Sequence, residues 1–591
     1  MTRLSASFIA AAVVGALIDG LVPSSLAFDT GPHNDIMRNV MERFGYTPEA
    51  QALGAIGNWF TDVYAFSFSF GNHVPFLPNH IADLEMLHCN NLYSIVYGAN
   101  YIAQHTISSR KAIQDAVRRN DTLSYLALLG TTAHAYQDFY AHSNWAELHL
   151  RNDCDCYNVH DTFFSDIIAA NGSVDAMINS RPQLSGWQTY SWQDRNYPNF
   201  NIFGGNVEHG EYCTGTNKDS YVRPYFEETH AYAFSATVEW IYNVEQWANA
   251  VDPNFVKTAR AWVPPTEQDR QDLFKNFEHA FEVSYSTTAW VFGGDDGHWK
   301  GYGSGSVRTF AASVTNFAKT NTTYTNLYLR KDPKPVWSLV TETPPYAFLN
   351  NSYDPSGEII GNVALIQDAI QGFTPFPSIP AEYTNMTVVV VRTLMYNVST
   401  SLGNKNPWAL IEIDNFAIRE APMMGQRVGT PYWTAIKYIP SPAINAASRN
   451  VSIKYTLIGA GDSSSVNTRI PIANSQDGTL YMTFNSADNS LVGTGISPGV
   501  YNSTLQTLKS AQQDSSIEIY VDTRGLTCTN STGQNGHYVT FCANTAFGEL
   551  GTVEGCPGSK FSKNSKNGGV TIRAGKSLWI VLCGILVAVL M

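Results

Sequence analysis

The hydrophobic period of this chain changes once along its length. Before residue 319, long apolar-rich segments without proline, such as 91–107 and 230–251, have the pattern of helices in a largely buried bundle. Beyond residue 385, apolar and polar residues alternate in short runs, and those at 385–396, 408–418 and 516–523 predict strands. The change predicts a multidomain α + β chain, with an N-terminal all-α helical domain followed by a C-terminal β-sandwich.

Proline marks the boundary between the two predicted domains. Residues 331–384 are rich in proline, which indicates a connector with little regular structure. The predicted helical domain therefore spans residues 28–330, and the predicted β-sandwich domain spans residues 385–557. With 591 residues, the chain is long enough for each domain to bury a sizeable core.

Residues 1–27 have the features of a secretory signal peptide. A basic residue lies near the start, residues 8–18 are apolar, and residues 24–27 supply small side chains at the two positions that signal peptidase recognises. Cleavage after Ala27 would leave Phe28 as the mature N-terminus. We therefore expect the protein to be secreted.

The other end of the chain has the order of a GPI-attachment signal. Residues 577–591 are apolar to the last residue, but they are short for a membrane-spanning helix, which needs about 20 residues. A polar spacer and the small residues 567–569 precede them, which predicts anchor attachment near Asn567. We assign residues 558–591 to a linker and this signal. The expected location is the cell surface, GPI-anchored to the outer face of the plasma membrane or to the cell wall; a short tail anchor is the alternative.

Cysteines, sequons and charge agree with an extracellular protein. Seven cysteines remain besides Cys583 of the apolar tail, so disulfide bonds are expected, with one cysteine left free or intermolecular. Cys154 and Cys156 are too close in sequence to pair comfortably, so each is expected to pair elsewhere. Nine N-x-S/T sequons predict a glycoprotein. The net charge of −13 argues against a stable nucleic-acid complex, although a nuclease that holds phosphate through metal ions is compatible with it.

The residues most indicative of chemistry are His134, Asp138 and His142. Their spacing of four residues places two imidazoles and one carboxylate on one face of a helix, within an otherwise apolar segment. Both groups are zinc ligands, and a carboxylate in such a segment is costly unless it is paired or bound to metal. A core histidine would explain one His but not the triple, so this stripe predicts a metal site.

Further ligand types lie upstream of the stripe. His33 follows Phe28 by five residues, Asp62 lies among aromatic residues, and His88 follows a leucine. Taken singly, each of these residues is ordinary. The rivals for the same role are His73, His80 and His105.

In this order, the residues resemble the zinc-dependent phospholipase C and single-strand nuclease superfamily. That family has an aromatic mature N-terminus with a nearby His, an Asp beside an aromatic residue, a Leu-His pair, and a helix with His-x-x-x-Asp. Residues 137–145, QDFYAHSNW, are most similar to its heterokaryon-incompatibility C branch. Residues 209–220, HGEYCTGTNKDS, are similar to a later segment of that branch. The resemblance covers residues 28–246.

The resemblance implies a helical domain that binds up to three zinc ions. The implied ligands are Phe28 and His33 for the first ion, Asp62, His88 and His134 for the second, Asp138 as a bridge between these two, and His142 and His230 for the third. Asp62 would also accept the proton of the zinc-activated water, which makes it the catalytic residue. The third set departs from the family pattern, because Phe234 stands where an acidic ligand is usual; Asp219 or His209 would replace it.

Together with the secretion and anchor signals, the resemblance implies a secreted, cell-surface zinc phosphodiesterase that hydrolyses phospholipid headgroups, as a phospholipase C does. Its partners would be a phospholipid or another phosphodiester substrate and, through the GPI anchor, the membrane. Two alternatives stay open: a zinc-dependent single-strand nuclease, and a non-catalytic recognition protein with a structural metal site. An apolar rim around the site would favour lipid, and an aromatic slot that stacks bases would favour a nuclease.

Overall fold

A computed structural model describes helices in the first half of the chain and strands that lie mostly in the second half. The described residues are 30–66, 95–142, 156–158, 226–271, 273, 368–369, 372–374, 385–399, 406–414, 416–419, 428–429, 433–440, 450–460, 468–470, 475, 477–485, 490–493, 496–500, 505–509, 515–527 and 540–542. The predicted signal peptide, almost all of the predicted connector and the predicted anchor signal lie outside these residues.

The described helices of the first half pack around one central helix, α4. The helices are α1 (Thr30–Arg43), α2 (Pro48–Phe66), α3 (Ile95–Arg118), α4 (Thr122–His142), α5 (Phe226–Asn249) and the short α6 (Phe255–Arg260). Helices α1, α2, α3 and α5 all contact α4. Every α4 residue from Ser124 to His142 is buried, as expected of a helix that is apolar on all sides.

Glycines allow α2 and α4 to touch along their backbones. A Cβ atom on Gly130 would lie 1.9 Å from the carbonyl oxygen of Gly54, and one on Gly57 would lie 2.3 Å from that of Ala127. The amide of Asn58 also donates to the Gly130 carbonyl at 2.9 Å. The position of α2 along α4 is therefore fixed by close backbone packing as well as by apolar burial.

The strands form two antiparallel sheets. The strands are β1 (Cys156–Asn158), β2 (Asn385–Asn397), β3 (Asn406–Ile413), β4 (Phe416–Arg419), β5 (Val428–Gly429), β6 (Trp433–Pro440), β7 (Asn450–Ala460), β8 (Thr468–Arg469), β9 (Thr479–Asn485), β10 (Ser490–Gly493), β11 (Ile496–Val500), β12 (Leu505–Lys509), β13 (Ser516–Thr527) and β14 (Thr540–Cys542). One sheet has the order β1-β14-β13-β2-β5, with β12 beside β13 and β6 beside β2. The other has the order β11-β10-β9-β7-β3-β4, with β8 beside β7.

The two sheets contact each other through a buried hydrogen bond between Thr393 of β2 and Tyr455 of β7, at 2.7 Å. Inward-facing residues such as Val391 and Ile453 are fully buried. The β-sandwich and the domain boundaries drawn from the sequence stay predictions.

The segment 408–418, which the sequence pattern predicts as one strand, is a hairpin. Strand β3 ends at Ile413 and β4 begins at Phe416, and the two residues pair with each other. Asp414 in the turn has a φ of 53°, a left-handed conformation that aspartate tolerates better than most residues. The alternation of apolar residues continues through the turn, which is why the pattern did not reveal it.

A short strand that the sequence did not predict joins the first half to the first sheet. Strand β1 pairs with β14, and their register places Cys156 opposite Cys542. The fold therefore brings residues 156–158 of the predicted helical domain to the end of the predicted β domain.

Among the described residues, none of the helices combines the length and the apolar character needed to cross a bilayer.

Candidate metal centre

Three buried side chains meet where α1 crosses α4. His33 lies in the first turn of α1, and His134 and Asp138 lie one turn apart on α4. Nε2 of His33 is 3.0 Å from Oδ1 of Asp138, and Nε2 of His134 is 3.1 Å from Oδ2 of the same carboxylate. All three side chains are fully buried, and their ligand atoms lie within 4.8 Å of one another. Among the residues that the structure describes, these three form a group that could hold a metal ion.

The two imidazole rings of the group lie against each other. The rings of His33 and His134 are stacked, with centroids 4.0 Å apart and an interplanar angle of 27°. Two positively charged imidazoliums at this distance would repel each other in a buried setting. The arrangement therefore disfavours a positive charge on both rings at once.

A chain of hydrogen bonds orients His33 from behind. The hydroxyl of Thr237 donates to the carbonyl of Ala233 at 2.7 Å and accepts from Nε2 of Gln137 at 3.0 Å. The amide oxygen of Gln137 therefore faces Nδ1 of His33, at 2.5 Å. Because that oxygen can only accept, Nδ1 carries the proton. A neutral His33 then presents the lone pair of Nε2 to Asp138, which is the tautomer that a metal needs.

The donor set fits a zinc ion. Ligand atoms about 2.0 Å from a tetrahedral zinc lie about 3.3 Å from one another, close to the two spacings of 3.0 and 3.1 Å between imidazole and carboxylate atoms. Three protein ligands are also the usual number at catalytic zinc sites. The two carboxylate oxygens of Asp138 face different imidazoles.

Several predicted ligands fall outside what the structure describes. The residues concerned are Phe28, His88 and Asp219, together with the rivals His73 and His80 and the alternative His209. The backbone of Asp62 lies in α2, the helix that packs against α4, but its side chain is not among those described. Their roles stay predictions.

The two described ligands of the predicted third ion are buried but do not join the group of three. His142 is the last residue of α4. His230 of α5 shares a hydrogen bond between its Nδ1 and the hydroxyl of Tyr438, at 2.7 Å. Burial lowers the pKa of His230 to about 3, so its ring is neutral at physiological pH. Neutrality suits a ligand, but the third zinc stays a prediction.

The rival His105 has a structural role. Its Nε2 donates to the carbonyl of Thr132 at 2.7 Å, and its ring stacks on Trp240. The indole of Trp240 in turn donates to the hydroxyl of Thr132 at 2.9 Å. These contacts tie α3 and α5 to α4 beside the metal centre, and they account for a histidine in an apolar interior.

Sequence reasoning missed Gln137, Thr237 and Tyr438 as partners of the site. One signal was available for Gln137: it directly precedes Asp138 in an apolar helix, where an amide side chain is uncommon unless it is hydrogen-bonded. The other two residues carry no such signal, because they meet the site only in the folded chain.

Comparisons with known proteins add little to this geometry. The sequence matches no protein-family model and none of the curated proteins. A solved structure of human GIVD cytosolic phospholipase A2, in complex with methyl gamma-linolenyl fluorophosphonate, aligns at a TM-score of 0.16 and 10% sequence identity. The alignment covers 24% of this chain and 19% of that one, so the chain spans about a fifth of that protein's length. A likeness of this size supports no inference about function. The functional indication in the structure is therefore the buried group of His33, His134 and Asp138, which could hold a metal ion.

Proposed function

We propose that the protein is a zinc-dependent phosphodiesterase that hydrolyses phospholipid headgroups in the manner of a phospholipase C. The observation that carries the proposal is the convergence of His33, His134 and Asp138 in a fully buried position. The order of motifs that resembles the zinc phospholipase C and nuclease superfamily supports the choice of metal and reaction.

The described residues would each have a distinct task. His33 and His134 would bind zinc through Nε2, and Asp138 would supply a negative charge to both. Gln137 keeps His33 in the ligand tautomer. When bound, zinc supplies Lewis-acid chemistry that activates water and stabilises charge on a phosphodiester. Asp62 is our proposed proton acceptor. Burial strengthens these electrostatic interactions, since little water screens them.

Secretion and a GPI anchor would place this activity next to lipid. The support is the sequence of the first 27 residues and of residues 558–591. Treating intact cells with an enzyme that cleaves GPI anchors should release the mature protein into the medium. Protein that stays with the cells after release of a known GPI-anchored marker would contradict the anchor.

Metal analysis followed by substrate assays tests the function. The full-length secreted protein, purified without chelators, should contain zinc and cleave phosphatidylcholine to a phosphorylated headgroup and diacylglycerol. The Asp138→Asn variant keeps the shape of the side chain but removes its charge, and it should lose both metal and activity. Cleavage of single-stranded DNA instead would support the nuclease alternative. Bound zinc without cleavage of either substrate would support a recognition protein, and absence of metal would refute both enzymes.

A further inference from the structure

Strand β6 lies at an edge of the first sheet, and helix α1 covers that edge. Among the described strands, β6 pairs only with β2. An open strand edge leaves backbone N–H and C=O groups without sheet partners. Helix α1 contacts β6 on its far side, so the question is how a helix can satisfy the groups of a strand.

Polar side chains of α1 form a ladder along this edge. Asp35 accepts from the Ile436 amide at 3.3 Å. Asn39 donates to the Ile436 carbonyl at 3.2 Å and accepts from the Tyr438 amide at 3.3 Å. Arg43 donates to the Tyr438 carbonyl at 2.8 Å. All four edge groups of the two strand residues therefore have partners on one helix.

The ladder depends on a match between two periods. Four residues of helix rise about 6.0 Å, and two residues of antiparallel strand rise about 6.8 Å. Side chains spaced by four on α1 can thus meet strand residues spaced by two. An ion pair between the buried Lys437 and the exposed Glu42 lies on the same interface.

The same interface reaches both helices that hold or orient His33. His33 itself lies two residues before Asp35 on α1. The ring of Tyr438 stacks on Phe234 of α5 with centroids 4.0 Å apart, and α5 also carries Thr237, the residue that fixes Gln137. A displacement of β6 would therefore move the ligand and its orienting group together.

We propose that the edge of β6 is a positioning element of the metal centre. Asp35, Asn39 and Arg43 are positioning residues that hold α1 so that His33 faces Asp138. Metal binding and docking of the β6 edge are then coupled, and the coupling acts in both directions. The proposal rests on the proposed function only in requiring that zinc binds.

Two measurements on the full-length protein test the coupling. Zinc affinity is measured by competition with a chromophoric chelator, and hydrogen exchange of the Ile436 and Tyr438 amides is measured with and without zinc. Asn39→Leu removes both ladder bonds of Asn39 and should weaken zinc binding about 10- to 100-fold, as loss of a group that orients a ligand does. Zinc should slow exchange of both edge amides in the unsubstituted protein.

A matched control separates positioning from general destabilisation. Thr456→Val breaks a buried hydroxyl contact between Thr456 and Thr479, 3.1 Å apart, in the other sheet. It should lower stability without changing zinc affinity.

Equal zinc affinity in Asn39→Leu and the unsubstituted protein would overturn the coupling while leaving the metal site intact. So would hydrogen exchange of the Ile436 and Tyr438 amides that is equally fast with and without zinc. Failure of the unsubstituted protein to bind zinc would overturn both proposals, whereas coupling without hydrolysis would overturn only the enzyme. The exchange measurement needs no variant, so it decides the matter even where a substitution prevents folding.

Discussion

Replacing Gln137 by leucine should weaken metal binding without emptying the site of ligands. The amide oxygen of Gln137 is the acceptor for Nδ1 of His33, at 2.5 Å. In the metal-free variant, His33 can move its proton to Nε2 and donate to Oδ1 of Asp138, 3.0 Å away. When a metal binds Nε2, the proton must return to Nδ1, and leucine offers no acceptor for that N–H group. The substitution therefore raises the free energy of the metal-bound state relative to the metal-free state.

The size of the penalty follows from the burial of the pair. A buried donor left without an acceptor costs about 1–3 kcal/mol, which corresponds to a loss of affinity of about 5- to 150-fold. Gln137→Glu keeps an acceptor for Nδ1 and should retain most of the affinity. Thr237→Val removes the hydroxyl that orients the amide, and its effect should fall between those of the other two variants.

Chelator competition on the purified full-length variants measures these affinities. Thermal unfolding in the presence of EDTA checks that each metal-free variant is folded, since Gln137 is itself buried. Zinc affinity of Gln137→Leu equal to that of the unsubstituted protein would refute the role assigned to this side chain. The same conclusion would follow if Gln137→Glu lost as much affinity as Gln137→Leu.

Three further predictions concern the rest of the fold. Because Cys156 and Cys542 are register partners, and opposed strand residues lie within disulfide range, peptide mapping without reductant should find them linked; separate peptides would contradict this pairing. Gly130→Ala should lower the stability by about 1–3 kcal/mol through overpacking, since its Cβ would lie 1.9 Å from the Gly54 carbonyl oxygen; an unchanged melting temperature would show that α2 can move away. Burial lowers the pKa of His105 from 6.5 to about 4, so the unfolded chain takes up the proton first. Stability should therefore fall as the pH drops from 6.5 towards 4. His105→Gln should lose less stability than the unsubstituted protein between pH 7 and 5, and an equal loss would contradict the assignment.

Local spacing accounts for only part of the metal centre. His134 and Asp138 meet because residues four apart lie on one helix face. Eight residues turn a helix by about 800°, which leaves His142 about 80° around the axis from His134. The regular stripe in the sequence is thus not a single line of ligands in the helix. His33 lies more than a hundred residues from its partners, and only the order of motifs suggested it.

Short-range signals also explain which elements could be predicted. The hydroxyl of Thr266 accepts from the Asp269 amide at 3.1 Å, a contact between residues three apart of the kind that a local pattern can indicate. The ladder between Asn39 and Ile436 joins residues 397 positions apart, so no local pattern could reveal it. Strand edges are satisfied by whatever packs against them, and this depends on the assembled fold.

The zinc content of the secreted protein tests the central claim most directly. We expect the unsubstituted full-length protein, purified without chelators, to carry at least one zinc ion per chain and to unfold at a lower temperature once EDTA has removed it. Asp138→Asn should carry no zinc, and EDTA should not change its unfolding temperature. The contrary result would be an unsubstituted protein that contains no metal and whose unfolding temperature changes with neither EDTA nor added zinc. It would show that His33, His134 and Asp138 form only a buried ion pair network.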